Sequence, residues 1–354
     1  VNVIGSGPFV VESESIGTDL TLKTREDYYW APPAVKHQGR ADIDGIHYIL
    51  AAEESVRTGA VTSGQADIAR QVSAPQESLL KDRGINIIAR GTNSMDNQFA
   101  FRFNHPLLQD KRVREAIIHG VNREEILRVL FSDSYPLATS TVAATGLGYK
   151  EQAGAYTFDP EESKQLLDEA GWTPGPDGIR VKDGKRLSLR TNTALPQPRS
   201  KEVMTMVQDQ LRGLGIEIVV NAGDQSTQNA DSKDIEKVQI YHSMVGRADY
   251  DVITSLYGIN NRDAFLNQDE QGEPIDAHLQ ELLDAVLDTP DTEGREKAVE
   301  KVQDYITEQA YALPLFEEPV VYAVRPEVSG FSPESVARPW FYEVSIDRSD
   351  KGEK

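Results

Sequence analysis

The chain has 354 residues, of which 39% are hydrophobic and 27% charged; its formal net charge is −20 and it has no cysteine. That length exceeds one ordinary domain and points to two or three. The charge repels nucleic-acid phosphates and anionic lipid surfaces, so neither is an expected partner, and the lack of cysteine excludes disulfides, thiolate metal sites and cysteine nucleophiles.

No apolar run approaches the roughly 18–20 residues that span a bilayer. In chain order, GPFVVESES (7–15) and TDLTLKTRE (18–26) read as paired strands. DGIHYILA (44–51) is another strand. AEESVRTGAVTSGQADIA (52–69) is a short helix, a glycine break and a buried turn, and GINIIARG (84–91) is a strand. In NQFAFRFN (97–104) strict alternation places Phe99, Phe101 and Phe103 on one face and Gln98, Ala100 and Arg102 on the other. The phenylalanine face is expected in the core and the other facing outward or into a cleft.

From residue 110 the pattern turns helical. Ala116, Ile117 and Ile118 form the apolar side of one helix, and Asn122 followed by Glu125 starts a second with capping-box spacing. Residues 135–149 read as a loop. FDPEESKQLLDEAGW (158–172) is a helix with Asp159 as cap, Pro160 at its first position and Gly171 past its end. DGIRVKDGKRLSLRTNT (177–193) is a strand, a tight Asp-Gly turn and a second strand. The 199–214 segment is an amphipathic helix burying Val203, Met204, Met206, Val207 and Leu211, and GIEIVVNA (215–222) is a strand. Strand, helix and strand at this spacing form a βαβ unit. Residues 220–234 are polar and read as a mobile surface loop, DYDVITSLYG (249–258) as a strand, 276–287 and 292–309 as helices, and YALPLFEEPVVYAVRP (311–326) as extended strands.

Signatures of catalysis are missing. The six histidines, His37, His47, His105, His119, His242 and His278, include no pair three or four apart, so there is no helical zinc pair. GSGPF (5–9) is not a nucleophile elbow and precedes a strand, not a helix, so it does not cradle phosphate. With 57 acidic residues, chance carboxylate pairs are inevitable and point nowhere. No enzyme activity, metal or cofactor is expected.

The order of motifs resembles the extracellular solute-binding proteins of ABC importers, the oligopeptide, dipeptide and nickel-binding family. It runs through GSGPFVVES, REDYYW, DIDGIHYILAAEESVRTGAVTSGQADIA, FAFRFNHPLLQDKRVREAIIHGVNREEIL, YTFDPEESKQLLDEAGW, LRGLGIEIVV, DYDVITSLYG and ALPLFEEPVVYAV, over nearly all of residues 5–330. The resemblance implies an α/β, periplasmic-binding-protein-like two-lobed fold with mixed sheets and flanking helices, closing on ligand by hinge motion. It places residues 1–108 plus 325–354 in the first lobe and 109–324 in the second. The family carries further sequence before the GSGPFVVES-like strand, so the chain reads as a fragment whose first lobe is incomplete.

The resemblance also implies ligand contacts. Gln98 and Ala100 face the cleft, with Asn97 at its edge, or else the strand has a plain polar outer face. Thr191, Asn192 and Thr193 end a strand at the mouth of the second lobe, or else form a ligand-free turn. In 250–266, Tyr257 stands near the family's aromatic position and Asn260 where peptide binders carry an acid, with Asn261 and Arg262 beside it. An amide does not neutralise a ligand ammonium, which costs about 1.5–3 kcal/mol at that contact; Arg262 either favours an anionic or neutral polar ligand or is simply solvated. The expected role is delivery of a peptide or similar small polar solute, as an extracytoplasmic monomer partnered by a membrane permease and anchored through a preceding segment. The departure at Asn260 leaves a non-transporting envelope scaffold or regulator as the alternative.

Overall fold

A computed structural model describes residues 4–194, 197, 199–221 and 223–347. The first part of the chain forms β1 (Phe9–Ser15), β2 (Asp19–Thr24), β3 (Gly45–Ile49), α1 (Glu54–Ser63), β4 (Ile68–Arg70), α2 (Ala74–Asp82), β5 (Asn86–Gly91) and β6 (Ser94–Phe101). The middle forms α3 (Lys111–Gly120), α4 (Arg123–Leu130), α5 (Pro160–Glu169), β7 (Thr173–Pro174), β8 (Arg180–Lys182), β9 (Lys185–Arg186), β10 (Ser188–Asn192), α6 (Ser200–Arg212), β11 (Glu217–Asn221), α7 (Gln225–Asp231) and β12 (Ile240–Gly246). The last part forms α8 (Thr254–Tyr257), α9 (Ala277–Asp288), α10 (Thr292–Glu308), β13 (Ala312–Phe316), β14 (Pro319–Val324), β15 (Val328–Ser329) and β16 (Ser345–Ile346).

The chain divides into two compact units, residues 1–90 with 319–354 and residues 91–318. These breaks fall earlier than the 108/109 and 324/325 boundaries read from the sequence. The reason is pairing: β6 is an inner strand of the second unit's sheet, and β14 is the middle strand between β4 and β5 in the first. Residues 348–354 of the expected first lobe lie outside the described residues.

The first unit holds the antiparallel sheet β1-β2-β3, the sheet β4-β14-β5 and the pair β15-β16. Two apolar clusters sit in it, one around Tyr322, Val324 and Phe331, the other around Tyr28, Ala41 and Tyr342. Gly330 has φ +72°, and a Cβ there would stand 1.9 Å from the Glu343 carbonyl oxygen, so the close β15–β16 approach requires glycine.

The second unit is built on a five-stranded mixed sheet in the order β11-β10-β12-β6-β13. β10 runs parallel to β11 and β12, while β6 is antiparallel to both its neighbours. The βαβ reading is the β10–α6–β11 unit; Val203, Met204, Val207 and Leu211 are its buried stripe, and Met206 is half-buried. The caps read from the sequence are present: Asn122 Oδ1 accepts the Glu125 N–H at 2.9 Å, and Asp159 Oδ1 accepts the Glu162 N–H at 2.9 Å. A core of Val252, Ile253, Leu256, Tyr257, Leu279, Leu283, Val299, Val302 and Ile306 joins α8, α9 and α10 to Met95 and Ala100 of β6.

Three local expectations are corrected. DYDVITSLYG is helical: a 3₁₀ turn at Tyr250–Ile253 runs into α8. Buried Val252, Ile253, Leu256 and Tyr257 recur at helical spacing, which the β-branched composition masked. Residues 220–234 contain α7, started by Asp224, whose carboxylate accepts the Thr227 N–H at 2.8 Å. All of β6 is buried, so Gln98 and Ala100 do not face outward; Ala100 and Phe103 share one apolar cluster, while Phe99 meets the His242 ring edge-on. An inner strand is covered on both faces, which alternation alone does not reveal.

Phe101 is fully buried on this strand. Phe101→Ala is expected to lower the stability of the 91–318 unit by about 3–5 kcal/mol, read as a lower urea midpoint by circular dichroism.

Candidate functional site

The polar end of β6 carries Asp96, Asn97 and Gln98 in succession, each at most 1% exposed. Both edges of the strand are irregular here. Against β12 the register passes from Gln98↔Ser243 to Met95↔Val245, and against β13 from Gln98↔Pro314 to Asn97↔Phe316. Such bulges re-aim side chains that strict alternation would send elsewhere.

Asn97 is the centre of a hydrogen-bonded chain. Its Oδ1 lies 2.6 Å from His242 Nε2, and its Nδ2 donates to Gln197 Oε1 at 2.8 Å and Glu318 Oε2 at 3.1 Å. His242 Nδ1 lies 3.3 Å from Ser200 Oγ, which itself accepts the Ala194 N–H at 2.7 Å. One assignment satisfies every contact: Ser200 donates to Nδ1, and Nε2–H donates to Asn97. His242 is then neutral, consistent with burial pushing its pKa down to about 3. Asn192 locks the same residue by its backbone, accepting the His242 N–H and donating to the His242 carbonyl, both at 3.0 Å.

Acids surround the strand end. Burial pushes Glu318 up to about 7, the Asn97 amide opposing; the residue keeps part of its surface accessible while packed atoms crowd it. Burial raises Asp96 well above the usual carboxylate range, with Glu317 adding to the effect and Arg123 opposing it. Among the described residues, neither Asp96 oxygen and neither polar atom of the Gln98 side chain has a hydrogen-bond partner. Leaving such groups unpaired costs about 1–3 kcal/mol each.

The expected site residues separate. Asn97 and Asn192 meet at His242; Gln98 stands opposite Ser243 in the strand register, and the Ser243 Oγ accepts from Arg262 at 3.0 Å. Thr193 Oγ1 accepts from Gln228 at 2.6 Å, and buried Thr191 donates to the Asn192 carbonyl. Residues 195, 196 and 198 of the expected mouth loop lie outside the described residues. Tyr257 is in the apolar core, its hydroxyl donating to the Tyr311 carbonyl at 2.9 Å, so it presents no aromatic face to a solute. Asn260 is exposed, and Asn261 donates to Thr254 Oγ1 at 3.2 Å. Arg262 is held bidentately by buried Asp263, so its charge is balanced within the protein. Ala100 lies in the buried apolar cluster.

Sequence reasoning missed His242, Ser200, Gln197, Asp96, Glu317 and Glu318. The signal was present in LPLFEEPVVY, where two acids interrupt an otherwise apolar strand run. Elsewhere in the unit, a cavity of about 600 Å³ is lined by Asn122, Arg123, Leu137, Thr139, Tyr156 and Phe158. The Arg123 guanidinium there is occupied by the carbonyls of Ala138, Pro314 and Tyr156. Among the described residues, no group of three His, Asp or Glu side chains is placed to hold a metal ion, and no helix is long and apolar enough to cross a membrane.

The buried neutral His242 makes stability depend on pH. Its folded pKa lies below the unfolded value, so unfolding takes up a proton and this contribution is lost as pH falls from about 6.5 toward 3. The stability difference between the wild type and His242→Gln is expected to narrow over that window, by at most about 1.4 kcal/mol per pH unit. Denaturant titrations across the window check this; a constant difference contradicts it.

Comparison with known proteins places these features in a family. The family model for bacterial extracellular solute-binding proteins, family 5 (middle), matches residues 1–265. The oligopeptide-binding protein OppA of Mycobacterium tuberculosis is 27% identical over 343 residues, covering 94% of this chain and 55% of that protein. The glutathione-binding protein GsiB of Salmonella paratyphi A is 22% identical over 339 residues, covering 93% and 61%. The chain thus spans a little over half the length of these relatives. NikA from Brucella suis, solved with Fe(III)-EDTA, superposes with a TM-score of 0.82 at 22% identity over 97% of this chain and 68% of that one. AppA from Bacillus subtilis, solved with a nonapeptide, gives 0.71 at 19% over 97% and 67%. The likeness in structure shows the α/β solute-binding-protein fold, and the family match covers most of the chain: this protein belongs to the bacterial extracellular solute-binding proteins of family 5.

Proposed function

We propose that the chain is the substrate-binding component of an ABC importer, acting outside the cytoplasm and handing a peptide or similar small polar solute to a membrane permease. It works by capture and performs no catalysis. Membership of family 5 supports the class, and relatives named for oligopeptide and glutathione binding support the solute. The chain passes between its two compact units twice, at 90/91 and 318/319, a connectivity compatible with hinge closure of two lobes. A monomer anchored at the membrane is the state in which this reading has the protein work.

The observation that carries the reading is the Gln98 carboxamide, buried on an inner strand next to Asn97, with neither polar atom bonded among the described residues. A folding core gains nothing from such a group; a solute carrying amides satisfies both its donor and its acceptor.

Two measurements test this. Native mass spectrometry of the chain with a pool of short peptides is expected to retain peptide one-to-one, whereas no retention across the pool contradicts the reading. Gln98→Leu is expected to stabilise the ligand-free protein by about 1–2 kcal/mol while weakening the retained peptide by about tenfold. Unchanged affinity in that variant removes Gln98 from the site.

A further inference from the structure

Resting on the solute-binding reading, we propose that Glu318, positioned by Asn97, forms a subsite for an organic cation, an ammonium or guanidinium group of the solute.

The hydrogen-bonded chain decides which chemistry is missing. It runs in one sense, from the Ala194 N–H through Ser200 and His242 to the Asn97 amide, and ends on the Glu318 carboxylate. Because His242 takes Asn97 Oδ1, the Asn97 NH₂ is turned toward Gln197 and Glu318, and both its hydrogens are used. The terminal carboxylate therefore accepts from Asn97, and no lysine or arginine among the described residues forms an ion pair with it. The two charged candidates nearby are already committed. Arg262 is bound to Asp263, and Arg123 donates to three carbonyls.

The rest of the strand end adds acceptors. Glu317 adjoins Glu318, its Oε1 accepting only a backbone N–H, from Ala144 at 3.0 Å. Asp96, next to Asn97 in sequence, is fully buried, and among the described residues both its oxygens and Gln98 Oε1 are unbonded acceptors. Burial pushes the Glu318 carboxyl up to about 7 against the opposing Asn97 bond, and a multi-donor cation relieves the cost of its buried charge. A metal ion is the weaker fit. Asn97 offers hydrogens, not its oxygen, beside Glu318, and metal-ion ligation needs oxygens turned inward. An ammonium or guanidinium instead supplies several donors to Glu318 and Gln197 Oε1 at once. This subsite would stand in for the acid that is absent at Asn260.

Calorimetry on the whole chain tests the assignment with tetraalanine, N-acetyl-tetraalanine and agmatine, the last an amine and guanidinium that is not a peptide. Tetraalanine is expected to bind at least about tenfold more tightly than its acetylated form near pH 8, a factor typical of losing one charge-assisted bond. Glu318→Gln keeps the bond from Asn97 and is expected to abolish that preference with folding intact by thermal unfolding. The wild-type preference should shrink as pH falls through about 7, where Glu318 takes up a proton. Asp96 and Glu317 on the adjoining strand and segment, Arg123 on α4 and neutral His242 on β12 are the other ionisable groups around it, so Glu318→Gln is the control that isolates its own titration. Equal binding of the two peptides, or a preference that survives in Glu318→Gln, overturns the subsite and leaves peptide capture standing. Glu318-dependent binding of agmatine with neither peptide bound upholds the subsite and overturns the peptide reading. Binding of none of the three overturns both. Calcium binding lost in Glu318→Gln overturns the organic-cation assignment.

Discussion

The bond between His242 Nε2 and Asn97 Oδ1, 2.6 Å long, organises the polar half of the second unit. It joins two neighbouring strands of the central sheet through side chains, at a place where their backbone register slips. Because His242 is buried and neutral, it has one hydrogen to give, and giving it to Asn97 fixes which way that amide faces. The direction of every later bond, to Gln197 and to Glu318, follows from that choice. Backbone bonds from Asn192 hold the histidine in place from the other side. Polar groups of this kind in a sheet interior cost stability unless each has a partner. Here one group, around His242, is satisfied, and its neighbours Asp96 and Gln98 find no partner among the described residues. A folded domain of this size has ample apolar core to carry that cost, and the cost is concentrated at one strand end.

Charge is distributed with the same economy. Arg262, the residue that most suggested an anion site, is neutralised by Asp263 and tied to Ser243. Arg114 and Arg123 are buried and turned toward backbone carbonyls, where they fasten loops to helices. Among the described residues Asp96, Glu317 and Glu318 form no ion pair, Arg123 acting on Asp96 only at a distance, so the strand end is an acceptor-rich region in an already acidic protein. A site built this way discriminates against anions through repulsion as much as it selects cations through attraction.

Much of the fold was legible because local rules and tertiary structure agree. Asn122 and Asp159 cap helices where their spacing says they should, and β10–α6–β11 follows directly from strand-helix-strand periodicity. The failures have a common physical source. DYDVITSLYG has strand-like composition, but its burial follows a helical period set by α9 and α10. β6 alternates cleanly, yet it is covered on both faces, so alternation mis-stated what Gln98 and Ala100 see. Of the site, Asn97, Gln98 and Asn192 could be named from position on a strand. Tyr257 could not be rejected, since its burial comes from packing against helices distant in sequence. Glu318 and His242 matter through contacts spanning 221 and 145 residues, and no local pattern encodes a hydrogen bond across such separations.

The central claim is that a small polar solute is held at the polar end of β6. The most direct measurement follows the side-chain amide resonances of Asn97, Gln98 and Gln197 by nuclear magnetic resonance, assigned by single substitutions, as a short-peptide pool is added. All three are expected to shift together and saturate with one solute per chain. Saturable binding that moves other resonances and leaves these three in place would contradict the account.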